Sequence, residues 1–77
     1  MKNIQVYSGS FGKKTISTNA NTWSELEVEI QTQYSLPALK AVENINRTEL
    51  SPDFALNNLD PNTILLIAPR VDSTKGI

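Results

Sequence analysis

Residues Asp60 to Pro69 read DPNTILLIAP. Aspartate first and proline second suit a type I turn over Asp60–Thr63, because the carboxylate accepts from the backbone two residues on and the proline ring presets φ. The turn launches five apolar residues, Ile64 to Ala68, and Pro69 closes the run. A run of this length fits a strand and is far short of the ~20 residues of a membrane span. Its unbroken apolarity predicts a strand buried on both faces, or one at the centre of a sheet. Leu66, in its middle, is therefore expected in the core.

The partners of that strand must come from upstream. Near the N-terminus, Ile4 and Val6 alternate with Gln5 and Tyr7, which is strand periodicity over about residues 2–8. Gly9-Ser10-Phe11-Gly12-Lys13 is a glycine-bearing loop of hairpin length, and Lys14–Thr18 forms the β-branched return strand. Asn19-Ala20-Asn21 interrupts the strand. Thr22-Trp23-Ser24-Glu25 then fits the capping box, in which a hydroxyl accepts from the backbone three residues on and the glutamate reaches back. The helix is expected to run to about Gln33, with Trp23, Leu26, Ile30 and Tyr34 on one face. Pro37 disfavours helical geometry in the residue before it and helps end the element.

Leu39–Glu43 reads as a third strand, Asn44–Arg47 as a turn and Thr48–Leu50 as a short further strand. Ser51-Pro52-Asp53 starts a single helical turn carrying Phe54 and Leu56 inward. The order is strand, strand, helix, strand, short strand, strand. The most apolar strand comes last, and it is expected to lie parallel to the first in the middle of the sheet, with the helix across one side. This predicts an α+β fold: a ubiquitin-like β-grasp, with a mixed sheet of four to five strands and one helix packed across it. Residues 1–70 are expected to form a single domain and 71–77 a flexible C-terminal tail.

Composition narrows the chemistry. The chain has 77 residues with no cysteine and no histidine, so disulfides, thiolate metal sites and the commonest general base are all lacking. Seven basic and eight acidic residues leave a net charge of -1, without the basic face a duplex-DNA binder needs. No cofactor and no metal is expected. The N-terminus has no signal-peptide h-region, and a cytoplasmic location is expected.

Gly9 to Lys14 is not a phosphate loop, since two residues instead of four separate the glycines and a strand follows. Phe11, at the loop tip, either folds back over the hairpin or anchors a partner. Glu25, Glu27 and Glu29 read as a solvated helix face near a positive N-terminus rather than as paired catalytic carboxylates. Trp23 reads as core. Thr48, Ser51 and Ser73 have no histidine to activate them, and Asp53, Asp60 and Asp72 lack calcium-loop spacing. Arg47 and Arg70 are the best polar contacts for a partner, because a guanidinium offers a rigid fork of donors. Both are expected in loops near one end of the sheet.

FALNNLDPNTILLIAPRVDSTKG (Phe54–Gly76) resembles the C-terminal third of the ubiquitin-like sulfur carrier proteins, and NTWSELEVEI (Asn21–Ile30) resembles their capped helix. The resemblance spans nearly the whole chain in order and length. It implies a β-grasp fold and a tail that enters a partner enzyme. The chain departs from those carriers at the tail, where Lys75-Gly76-Ile77 stands in place of a terminal Gly-Gly.

The expected function is a non-enzymatic protein-interaction module that meets a larger protein through a sheet face, the Phe11 loop, Arg47, Arg70 and the tail residues Val71, Lys75 and Gly76. A phage or mobile-element accessory or inhibitor protein is one form this would take. The alternative is a sulfur carrier or protein modifier acting through a processed Gly76. A weaker alternative is single-strand nucleic-acid binding through Tyr7, Phe11, Lys13 and Lys14.

Overall fold

The computed structural model describes residues 1–70; the expectations for Val71, Lys75, Gly76 and the rest of the tail lie outside that range. In chain order the elements are β1 (Lys2–Ser8), β2 (Gly12–Thr18), α1 (Trp23–Tyr34), β3 (Leu39–Glu43), a 3-10 turn (Leu56–Asn58) and β4 (Ile64–Pro69). The sheet has four strands in the order β2-β1-β4-β3. β1 pairs antiparallel with β2 and parallel with β4, while β3 pairs antiparallel with β4. The apolar last strand thus lies in the sheet centre beside the first. With one helix across one side, this is the β-grasp arrangement. The expected short strand at Thr48–Leu50 is only an isolated bridge, Val42 to Glu49.

Local chemistry explains the helix ends. The Thr22 hydroxyl accepts from the Glu25 amide at 3.4 Å, and the Glu25 carboxylate reaches back to the Asn21 amide at 2.8 Å, one residue earlier than the capping box predicts. Two of the free N-terminal amides of α1 meet backbone carbonyls: Trp23 N–H donates to Phe54 at 3.0 Å and Ser24 N–H to Pro52 at 2.9 Å. At the other end Ser35 takes left-handed geometry, with φ 55°, and the Leu36 amide returns to the Gln31 carbonyl at 3.1 Å. The helix therefore stops at Ser35, before Pro37 can act. Ser35→Gly relieves the Cβ strain of that conformation and is expected to raise stability by about 0.5–1 kcal/mol in a urea melt.

One core lies between α1 and the sheet. Trp23, Leu26 and Ile30 pack with Ile4, Val6, Ile16, Leu39, Ala41, Leu50, Leu56, Leu65 and Ile67. Leu65 is 0% exposed, but Leu66 is 41% exposed. The expectation that Leu66 is core is overturned. β4 is central, but among the described residues only one of its faces is covered, because one helix packs on that side and none on the other.

The long connection from β3 to β4 is organised by a carboxylate. Glu43, 9% exposed, accepts from the amides of Ile45 (3.0 Å), Asn46 (2.8 Å) and Thr48 (3.2 Å). These bonds, the one from Asn46 foremost, hold its pKa below the ordinary carboxylate value against the opposing effect of burial. Arg47, inside this turn, has φ 61°.

Candidate functional site

Strand periodicity sorts the sheet into two faces. Ile4, Val6 and Ser8 of β1, Leu65 and Ile67 of β4, and Leu39, Ala41 and Glu43 of β3 are the buried set on the helix side. The alternate residues point the other way. Across the four strands their register lines up Lys13, Tyr7, Leu66 and Val42 as one transverse row. At about 4.8 Å between strands this row is about 14 Å long.

Leu66 sits between Tyr7, which is 49% exposed, and Val42. Two residues away on either side along β4 are Ile64 and Ala68, both half-buried. The result is an apolar patch at the centre of the open face. Lys13 ends the transverse row, and Lys40 pairs with Ala68 at a second corner. Polar residues occupy the far side of the face: Gln5 beside Ile64, and the Ser17 hydroxyl donating to Asn3 Oδ1 at 2.8 Å. An apolar centre with cationic corners matches the general composition of a docking patch, where a desolvated core sits inside a polar rim.

The other candidates are dispersed. Phe11 is half-buried, and its ring stacks on Tyr34 of α1 with 4.5 Å between centroids and 19° between planes. Phe11 folds back, but onto the helix C-terminus rather than over its own hairpin. That contact occupies one face of the ring that single-strand binding through Phe11 would use for stacking. Arg47 and Arg70 are not neighbours. Arg47 follows the end of β3, whereas the Arg70 amide donates to Ala38, just ahead of the start of β3, at 2.8 Å. The Arg70 guanidinium pairs with Glu49 at 2.9 Å. Both partners are about half exposed, so the pair is worth at most about 1 kcal/mol.

The helix glutamates are not merely solvated. Glu29 accepts from the buried Thr18 hydroxyl at 2.6 Å, and Glu27 accepts from the Leu39 amide at 2.8 Å. With Glu25 on Asn21, the three carboxylates tie the helix to β2, to β3 and to its own entry segment. They sit on three different structural contacts and do not converge.

The residues that sequence reasoning missed are Leu66, Val42, Ile64 and Ala68. For β1 the signal was present, because Tyr7 is out of phase with Ile4 and Val6. For β4 the unbroken apolar run hid which residues faced out.

Among the described residues no helix is long and apolar enough to cross a membrane. No protein-family model matches the chain, and no curated protein matches it at a significant level. The described residues define a small α+β domain with a four-stranded mixed sheet, one helix and one sheet face that none of them covers.

Proposed function

We propose that this chain is a non-enzymatic, ubiquitin-like protein-interaction module whose open sheet face docks on a larger protein inside the cell. The observation that carries this reading is the row at the middle of the sheet formed by exposed Tyr7 and Leu66 and half-buried Val42. An apolar patch at the centre of a β face gains about 25 cal/mol for each Å² it removes from water on docking. Lys13 and Lys40 at the corners favour a partner with carboxylates around an apolar contact. Phe11 supports the module from within, through its stack on Tyr34, rather than touching the partner. An accessory or inhibitory role in a phage or mobile element is one form that such a surface-presenting module would take.

The test is affinity capture by the full chain from its own cells, comparing three forms. The wild-type chain and Val28→Lys, which changes an exposed residue on α1, are expected to retain the same protein partner. The double variant Tyr7→Ala, Leu66→Lys is expected to lose it by at least about tenfold while keeping a cooperative melt, because aromatic anchors dominate such contacts. Retention by the double variant sinks the open-face reading. The intact mass of the recovered chain tests the alternative: a thiocarboxylate or isopeptide at Gly76 would make the tail's carboxylate the functional group.

A further inference from the structure

A second surface lies on the far side of the β3–β4 connection, and it does not rest on the open-face reading. A cleft of about 530 Å³ opens between the segments 43–51 and 54–63. That volume is in the range of small-ligand sites and exceeds what a single water requires. Its apolar wall is Ile45, Leu50, Phe54 and Leu59, and its acidic members are Glu49 and Asp60, with Glu43 turned to the backbone amides. Among the described residues no Lys or Arg lines it.

The acidic groups have capacity to spare. Asp60 uses Oδ1 to accept from the Asn62 amide at 2.8 Å, and Glu49 uses Oε2 for Arg70. Each carboxylate keeps its other oxygen without a protein partner among the described residues. Thr63 is only 7% exposed, and among the described residues its hydroxyl has no hydrogen-bond partner. Among the described residues no fully enclosed side-chain polar atom is left unsatisfied, so this hydroxyl meets solvent where Thr63 lines hollows in the surface, this cleft among them.

The geometry points to a docking site for a long basic side chain, lysine or arginine, of a protein partner. Such a side chain is apolar along its stem and charged only at its head. The stem lies on Leu50, Phe54 and Leu59, and the head reaches the free oxygens of Glu49 and Asp60. The ring of Phe54 adds a face for the cation. A neutral apolar ligand would leave the two carboxylates unused, and an acidic one would be repelled by them. Charge complementarity therefore selects the occupant. The guanidinium of Arg70, which does not line this cleft, already holds Glu49 Oε2 at 2.9 Å, so the carboxylate accepts a basic head.

The test uses n-butylguanidinium and n-butylammonium as probes, n-butanol as the uncharged control, and amide NMR of the full chain as readout. The two cations are expected to shift the amides of Asn46, Thr48, Leu50 and Asn58 saturably, with a dissociation constant near or above about 1 mM, as suits a fragment. The amides of Tyr7 and Leu66 on the open face stay still, so this result is independent of the open-face reading. The double variant Glu49→Gln, Asp60→Asn keeps the acceptors for Arg70 and Asn62 but removes both charges, and is expected to weaken the cations about tenfold or more. Added salt weakens them in the wild-type chain. Equal shifts with n-butanol, unchanged affinity in the double variant, or no saturable shift at all would each overturn the assignment.

Discussion

Leu65→Ala is expected to destabilise the domain by about 2–5 kcal/mol, the range for truncating a fully buried leucine. Leu65 is 0% exposed, and it lies between Val6 on β1 and Glu43 on β3. A chain of this size has a total stability of only about 4–12 kcal/mol, from about 0.05–0.15 kcal/mol per residue. The loss is therefore a large share of the whole, and the urea midpoint should fall by about 2 M or more, at about 1 kcal/mol per M. Leu66→Ala, one residue on, is expected to cost less than about 1 kcal/mol, the scale of a cross-strand contact on a solvated face. Parallel urea melts of the two variants decide the matter. Equal losses, or a larger loss at Leu66, would mean that α1 covers the other face of the sheet. The open-face patch would then be core.

That contrast also shows how far the chain can be read before its structure. The strand and helix boundaries were legible wherever two periodicities could be told apart: β1 by alternation, α1 by its spacing of three and four and its cap at Thr22. The position of β4 at the sheet centre was legible from the apolar run itself. Its orientation was not, since Ile64 to Ala68 offer no polar residue to mark the outward side. Only the count of covering elements, one helix for two faces, settles it. The cleft and the Glu43 turn were hidden for a different reason. They depend on where the 44–63 connection folds back, and that path is set by backbone bonds such as Leu56 N–H to Asn21 at 2.8 Å and Leu50 N–H to Ala41 at 2.9 Å. No local pattern in the sequence encodes those pairings.

Glu43 should make the fold sensitive to acid in a way that one substitution removes. Its folded pKa is depressed below the ordinary value, with the Asn46 amide the main cause. A depressed carboxylate contributes stability that is fully present above the unfolded-state pKa and lost as pH falls through the lower folded value. Glu43→Gln replaces a two-oxygen anion by one acceptor and an NH₂ that faces three backbone donors, so at pH 7 its melting temperature is expected to lie below that of the wild-type chain. As pH falls from about 5 to about 2 the wild-type carboxyl takes up its proton and the two melting curves should converge. A gap that stays constant across that window would mean that shape, not charge, holds the turn. Arg47 supplies an independent check. Its left-handed backbone, φ 61°, lies between the Asn46 and Thr48 amides that both donate to Glu43. Arg47→Gly removes a strain of about 1 kcal/mol and should recover part of the loss in the Glu43→Gln background. If Arg47→Gly recovers nothing there, the left-handed residue is no longer held once the charge is gone, and the carboxylate is what folds the 44–48 turn.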